Sequence, residues 1–238
     1  MINKPKFIFI LGVEGCGHHG LNAALDHFFS EANVQFQESP WHTHLTDLWA
    51  KIEIKQRFRK DPIIEYQETI QSHRLRLNDI AKDILMIASS KNIEFFVETC
   101  SFPYDSPRML NKSPDLLSFN KVFSQYFDIH YIHITRDLSD CIVSDIRRGF
   151  TKNTYEQSNI IIWNDFYIKG FLKNTSLKTC EVSYENLIDD CSKTIKKISD
   201  FIKFDIEPAL NLMRTPSKPS KEEIAIKEEV LENFFLVG

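Results

Sequence analysis

Short apolar runs alternate with longer segments of helical spacing along most of this chain. Five runs bounded by polar or turn-forming residues predict strands: KFIFIL (6–11), NVQFQ (33–37), IEFFVE (93–98), IHYIHIT (129–135) and KTCEVS (178–183). Between them, apolar residues at helical spacing predict helices over 21–32, 62–90, 115–127, 138–148, 155–173 and 184–203. Strands that alternate with helices of this length need crossover connections, so the pattern predicts a three-layer α/β protein with a mainly parallel sheet.

The clearest interruption of this pattern is TPSKPSK at 215–221, which precedes the charged segment KEEIAIKEEVLENFF. We therefore predict one α/β domain over 1–214, with a helical insertion at 45–92. A linker and a C-terminal helix are predicted over 215–238. The alternative for this tail is a frayed or partner-dependent end.

Composition narrows the classes of function. A chain of 238 residues with 42% hydrophobic content can bury one substantial core. The net charge of -4 and the pI near 6.1 disfavour a general nucleic-acid binder, so any anion site must be local. The five cysteines form neither a CxxC pair nor a zinc-like spacing, which favours reduced, structural thiols. The apolar run from Phe7 is too short to span a bilayer and lacks a signal-peptide cleavage pattern, so we expect a cytoplasmic protein.

Four of the seven glycines, Gly12, Gly15, Gly17 and Gly20, fall within nine residues directly after the first predicted strand. Glycine permits positive φ angles and the close approach of a ligand to the backbone. The helix that follows offers unpaired N–H groups and the positive end of its dipole. Strand, glycine loop and helix in this order predict a phosphate-binding loop. The alternative is that the glycines make only a tight turn.

The spacing Gly12-x-x-x-x-Gly17 matches the frame of the P-loop in nucleotide triphosphatases, but His18 and His19 stand where those proteins carry Lys and Ser or Thr. Without those side chains the phosphates lose a cation and Mg²⁺ loses a ligand, so ATP hydrolysis is disfavoured. A further alternative is a metal site built from four histidines, namely His18, His19, His42 and His44. Adjacent histidines point to different faces of a helix, which disfavours this metal site.

A second candidate phosphate site follows the strand IHYIHIT. There Asp137 is placed to cap a helix and Gly149 to end it. Arg136 then lies at the carboxyl end of a parallel strand, on the same edge as the glycine loop, where such folds bind ligands. Ser144 follows eight residues later, about two helical turns on. The alternatives are that Arg136 pairs with a neighbouring aspartate, Asp137 or Asp140, and that Ser144 is an ordinary surface serine.

In this order the motifs resemble the sulfotransferases that use 3′-phosphoadenosine 5′-phosphosulfate. In that family an arginine after a strand and a serine eight residues later hold the 3′-phosphate, and Arg136 and Ser144 match this pattern. The family's 5′-phosphosulfate loop, Ser-Gly-Thr-Thr-x-Leu, aligns with Cys16, Gly17, His18, His19, Gly20 and Leu21. The segment SYENL resembles the family's Tyr-Glu-Asp-Leu, which implies that Tyr184 lies against the adenine. The alternative for Tyr184 is a buried core aromatic.

The resemblance covers residues 7–204 and implies a P-loop NTPase-like sulfotransferase fold. It implies transfer of a sulfuryl group from 3′-phosphoadenosine 5′-phosphosulfate to a hydroxyl or amine, with adenosine 3′,5′-bisphosphate as product. The implied acceptor is a small molecule or carbohydrate on the side of the 45–92 insertion. No metal, nucleic acid or membrane span is required. Two rival functions are a P-loop kinase acting on a small molecule, and a non-catalytic nucleotide- or partner-binding protein with a degenerate sulfotransferase fold.

The chain departs from the family pattern at the catalytic positions. Gly15 stands where many cytosolic members carry a lysine, and His18 is the nearest substitute for stabilising the leaving phosphate. Ser101 stands where many of them carry a catalytic histidine. Other branches use a glutamate, and Glu98 ends a predicted strand on the ligand edge, so we assign Glu98 as the general base. The alternative for Glu98 is a role as a cap or ion-pair partner.

Further positions are backup candidates. His42 and His44 follow the second predicted strand and are backup bases. The family's C-terminal Arg-Lys-Gly motif, which also binds the 3′-phosphate, is absent. Four cations are candidates to replace it, namely Arg147, Arg148, Lys218 and Lys221.

Overall fold

The sheet is parallel throughout. The computed structural model describes residues 4–31, 37–38, 62–91, 93–102, 116–149, 154–207 and 220–234. Within these ranges the strands are β1 Lys6–Val13, β2 Gln37–Glu38, β3 Phe95–Phe102, β4 Asp128–Thr135 and β5 Lys178–Ser183. They form one sheet in the order β2-β3-β1-β4-β5, and each neighbouring pair is parallel. The predicted α/β architecture is confirmed.

Helices connect these strands. Those described are α1 His18–Glu31, α2 Pro62–Lys91, α3 Leu116–Phe123, α4 Leu138–Arg147, α5 Thr154–Leu172, α6 Tyr184–Asp189, α7 Cys191–Ile202 and α8 Lys221–Phe234. The single helix predicted over 184–203 is wrong. The chain turns at Asp190, whose φ of -139° and ψ of 60° are not helical and whose carboxylate caps α7 by accepting a hydrogen bond from the Lys193 amide.

The domain boundaries remain a prediction. Residues 45–61 of the predicted insertion and 208–219 around the predicted linker lie outside the described residues. The described part of the insertion is mainly α2, and the charged tail is helical from Lys221 onward. Helix α8 buries Val230 completely and packs on α4 and α5.

Helices cover both faces of the sheet, because alternate residues of a strand point to opposite faces. On one face the ring of Phe9 packs against Phe119 of α3, with 4.9 Å between ring centres. On the other face His130 contacts Phe201 of α7 at 5.2 Å between ring centres. Burying one side chain of the size of Phe9 contributes about 1.5–3 kcal/mol, so the aromatic layer around β1 is a major source of stability.

The carboxyl ends of the strands meet at one edge of the sheet. In register, Gly12 of β1 pairs with Ser101 of β3, and Thr135 of β4 pairs with Ser183 of β5. The connection after β1 leads towards β2 and β3, whereas the connection after β4 leads towards β5. The strand order therefore reverses between β1 and β4, and open α/β sheets bind ligands at such a point.

Candidate functional site

The loop between β1 and α1 is shaped by two glycines with positive φ. Gly15 has a φ of 81° and Gly17 a φ of 91°, a region that other residues enter only at a cost. The amide of Cys16 closes the turn by donating to the carbonyl of Val13 over 3.1 Å. Among the described residues, the amides of Gly15 and Gly17 donate to no other group. The loop thus has the backbone form and donors of an anion cradle, next to the amino terminus of α1.

Neighbouring elements leave no room for side chains on these glycines. A Cβ atom on Gly15 would lie 3.1 Å from Cβ of Ser144 and 2.8 Å from the carbonyl oxygen of Cys141, both in α4. A Cβ atom on Gly17 would lie 2.3 Å from Cδ2 of Tyr184, the first residue of α6. The loop is therefore in close contact with the helix that carries Ser144 and with the ring of Tyr184.

Arg136 contacts both the glycine loop and the ring of Tyr184. Its Nη1 atom donates to the carbonyl of Gly15 over 2.8 Å, and its Cζ atom lies 4.4 Å from the centre of the Tyr184 ring. Its Nε atom is buried and has no hydrogen-bond partner within the described ranges. The neighbouring aspartates have other partners: Asp137 caps α4, and Asp140 pairs with Lys227 of α8. The structure thus brings Arg136, Tyr184 and the glycine loop together.

The beginning of α1 places two further predicted residues in the loop. His18 is 1% exposed, and its Nδ1 atom lies 3.4 Å from Sγ of Cys16. Burial raises the pKa of the Cys16 thiol to about 12, so this sulfur is neutral at physiological pH and adds no negative charge to the loop. Leu21 is fully buried, and Gly20 lies on the exposed side of α1. The backbone of His19 is helical, and its side chain lies outside the description.

Sequence reasoning missed an ion pair in the loop. Glu14 is 4% exposed, and its Oε1 atom accepts a hydrogen bond from Nη1 of Arg148 over 2.5 Å. The adjacent Arg147 instead donates to Glu223 of α8 over 2.8 Å. The two neighbouring arginines at the end of α4 therefore point to different parts of the protein. A glutamate beside the predicted anion site was the signal in the sequence, because such a charge needs a partner when it is buried.

The predicted position of Glu98 is wrong. The strand does not end there but continues to Phe102, and Glu98 pairs in register with Phe9 in the middle of β1. Three register positions separate Glu98 from Ser101, which is about 10 Å along the strand. Glu98 is also 4% exposed. It therefore lies on a buried face of the sheet, below the edge where the glycine loop lies.

Several backup candidates cannot be placed. His42, His44 and Lys218 lie outside the described residues, as does the side chain of Ser101. Lys221 is the first residue of α8 and is exposed. The described residues contain no group of three or more His, Cys, Asp or Glu side chains that could hold a metal ion. In the same ranges no helix has the length and apolar character needed to cross a membrane.

A cavity of about 990 Å³ lies at the opposite edge of the sheet, beside the amino-terminal ends of the strands. Two of the cations that line it already have partners in the protein: Lys6 donates to the carbonyl of Ile202 over 2.7 Å, and Lys178 pairs with Asp128 over 2.5 Å. The glycine loop, with its backbone donors and Arg136, has the chemistry of an anion site, so we place the functional site at the loop despite the volume of this cavity.

The sequence and the fold of this chain are similar to those of known proteins. The model of the sulfotransferase family matches residues 5–208. Among solved structures, a sulfotransferase domain from the curacin biosynthetic pathway aligns with a TM-score of 0.53 and 15% identity, covering 96% of this chain and 98% of that one. A shikimate kinase from Bacteroides thetaiotaomicron aligns at a TM-score of 0.43 and 15% identity over 83% of this chain and 98% of that one. A search of curated proteins found no match.

Proposed function

This chain belongs to the sulfotransferase family, and we propose that it transfers a sulfuryl group from 3′-phosphoadenosine 5′-phosphosulfate to a hydroxyl or amine of a small-molecule or carbohydrate acceptor. The observation that carries the proposal is the meeting of Arg136, Ser144 and Tyr184 at one glycine loop. The loop and these side chains come from three separate parts of the sequence. The side chains surround the loop at the edge where a parallel sheet binds its ligand.

Arg136 and Ser144 are the proposed anchors of the 3′-phosphate. A guanidinium has five N–H donors in a planar fork, which suits a phosphate, and a serine hydroxyl can donate one more hydrogen bond. The buried Nε atom of Arg136 supports this role, since a buried donor without a partner in the described chain fits a ligand atom. The ring of Tyr184 provides an apolar surface for the adenine. These features fit the nucleotide that the family uses.

The loop amides and His18 are the proposed groups that hold the 5′-phosphosulfate, which supplies the sulfuryl group when it is bound. The amides of Gly15 and Gly17 and the amino terminus of α1 provide donors and a positive dipole end where negative charge develops. His18 is the first residue of α1 and is the proposed substitute for the family's lysine. In this proposal positioning and electrostatic stabilisation by the loop supply most of the acceleration.

We propose that Glu98 is not the general base of this transfer. A general base must come within about 2.6–3.2 Å of the proton that it accepts, directly or through one water. Glu98 is buried and pairs with Phe9, three residues before Gly12 along β1. We propose that an acceptor held at the glycine loop does not reach that depth and that another residue of the acceptor side accepts the proton. The cytoplasmic location and the extent of the acceptor-side insertion stay predictions.

A turnover assay tests this function. The protein is incubated with radiolabelled 3′-phosphoadenosine 5′-phosphosulfate and a panel of alcohols, amines and sugars, and labelled product is separated. We expect donor-dependent transfer to at least one acceptor class, and its loss in Arg136→Ala. Lys169→Gln is the matched control, because it removes a cation from a surface pair on α5. Binding of adenosine 3′,5′-bisphosphate without transfer to any acceptor would favour a non-catalytic nucleotide-binding protein instead.

A further inference from the structure

Arg148 lies on the same face of α4 as Ser144. Its amide donates to the carbonyl of Ser144 over 3.2 Å. This is the hydrogen bond of an α-helix between residues four apart, which lie one above the other along the helix. Side chains at this spacing are neighbours on a helix surface. Ser144 faces Gly15. Arg148 lies on the same side of the helix, one turn after Ser144, and therefore also faces the loop. Arg148 is therefore next to the proposed anchors of the 3′-phosphate.

Two guanidinium groups contact consecutive residues of the loop. Arg136, which precedes α4, donates to the carbonyl of Gly15, and Arg148, which follows α4, donates to the carboxylate of Glu14. Ser144 lies between these arginines in the sequence and against Gly15 in space. The arginines that flank α4 thus contact two neighbouring residues of the loop.

The charges of the loop explain why a second arginine is needed. Gly15 replaces the family's lysine, and the residue before it is an acid, Glu14. An uncompensated buried carboxylate would oppose the binding of a nucleotide with several negative charges. Arg148 neutralises Glu14, whose side chain is 5% exposed, while its own side chain is 38% exposed. A guanidinium with five donors can hold a carboxylate and a phosphate oxygen together.

We propose that Arg148, held in place by Glu14, is a second phosphate-binding arginine of the donor site and gives the site its preference for nucleotides with a 3′-phosphate. The role rests on the proposed function, since it concerns the same nucleotide. Glu14 acts as a positioning residue that fixes the guanidinium beside Ser144. Arg148 thereby takes the place of the C-terminal basic motif that the chain lacks.

Arg147 is the matched control for Arg148. It is the neighbouring residue, carries the same side chain and is also in an ion pair, but its partner Glu223 belongs to α8. Changing Arg147 to Gln removes one positive charge from the same end of α4 without touching the loop. A difference between the two variants therefore reports the position of the charge rather than the net charge of the protein.

The test is calorimetric titration of the wild type, Arg148→Gln and Arg147→Gln with adenosine 3′,5′-bisphosphate and adenosine 5′-monophosphate. In Arg148→Gln we expect the Kd of the bisphosphate to rise about ten- to hundredfold, the range of a charge-assisted hydrogen bond, and the Kd of the monophosphate to stay within about threefold. Arg147→Gln should leave both values near those of the wild type. An equal loss for both nucleotides in Arg148→Gln would overturn the proposal, because Arg148 would then only support the loop.

Two more variants keep the test decisive. Arg148→Lys keeps the charge but loses the planar fork, so its preference for the bisphosphate should fall about three- to tenfold, even where Arg148→Gln does not fold. Glu14→Gln keeps the arginine but weakens the ion pair that holds it, so its preference for the bisphosphate should fall, and by less than in Arg148→Gln. If the wild type prefers the bisphosphate and Arg148→Lys and Arg148→Gln keep that preference in full, the role of Arg148 is wrong and the proposed function stands. A wild type without that preference contradicts the proposed function itself.

Discussion

The guanidinium of Arg136 lies over the ring of Tyr184, with 4.4 Å between its Cζ atom and the ring centre. Arg136 directly follows β4 and Tyr184 directly follows β5, and the last residues of these strands, Thr135 and Ser183, are register partners. A cation and an aromatic ring therefore lie in contact beside the glycine loop, because each directly follows one of two neighbouring parallel strands. Such a pair contributes about 0.5–1 kcal/mol when exposed and about 2 kcal/mol when desolvated.

Replacing Tyr184 with leucine removes the ring against which we place the adenine. We expect the Kd for adenosine 3′,5′-bisphosphate to rise about five- to thirtyfold, because base stacking on an aromatic ring is worth roughly 1–2 kcal/mol. Tyr184→Phe keeps the ring and should bind within about twofold of the wild type. Calorimetry measures both. Equal losses in the two variants would show that the hydroxyl, and not the ring, contributes the affinity.

Gly17→Ala should destabilise the protein, whereas Gly20→Ala should not. Gly17 has a φ of 91°, and its new Cβ atom would lie 2.3 Å from the Tyr184 ring, so we expect the free energy of unfolding to fall by roughly 1–3 kcal/mol. Gly20 lies in α1 with no atom within 4 Å of a new Cβ, so alanine should add about 0.5–1 kcal/mol. Urea denaturation measures both values. A stable Gly17→Ala would contradict the described loop conformation.

The helix cap at Asp137 should make part of the stability depend on pH. Burial alone would raise the pKa of Asp137, but hydrogen bonds from Ser139 and the Asp140 amide, with the charge of Lys227, lower it below its ordinary value of 3.8. The folded state thus prefers the carboxylate, so this stabilisation is fully present above 3.8 and is lost as the pH falls through the lower folded value. Asp137→Ala should therefore cost about 0.5–2 kcal/mol at neutral pH and progressively less in acid.

Denaturation curves at several pH values measure this cost. Asp79→Ala is the control, because Asp79 is an exposed aspartate within α2 and not at its cap. A cost for Asp137→Ala that is as large at acidic pH as at neutral pH would contradict the role of the charged cap.

Features that depend on neighbouring residues were predictable from the sequence. The glycine loop, the cap at Asp137 and the end of α4 at Gly149 all appear in the structure where local pattern indicated them. The break at Asp190 was missed because the helical spacing of apolar residues continues across it. The segment after Glu98 has polar residues typical of a turn, but its register with β1 extends the strand. Sheet pairing overrides local propensity there.

Long-range pairs leave no local pattern that identifies both partners. Glu14 and Arg148 are 134 residues apart, and only the fold brings them together. The docking of α8 on α4 through Lys227 and Asp140 is of the same kind. The sequence therefore predicted the glycine loop and the residues that follow β4 and β5, but not the residues that hold the loop in place.

Glu98→Gln tests the revised position of Glu98. We expect kcat, measured with an acceptor that the turnover assay identifies, to stay within about threefold of the wild type, because the side chain is buried on a face of the sheet below the loop. Loss of a general base would instead lower kcat by about 10²–10⁴-fold. Thermal unfolding of the variant, measured in parallel, separates a fall in turnover from a loss of folded protein. A fall of that size in a fully folded variant would restore Glu98 as the base.

The central claim is that the glycine loop, Arg136 and Ser144 bind a nucleotide with phosphates at both the 3′ and 5′ positions. Calorimetric titration of the wild type with adenosine 3′,5′-bisphosphate, ATP-Mg and GTP-Mg tests it most directly, with Arg136→Ala as the control. We predict that the bisphosphate binds at least about tenfold more tightly than either triphosphate and that Arg136→Ala abolishes this difference. Binding of the triphosphates alone would contradict the claim and identify the protein as a kinase-type nucleotide binder.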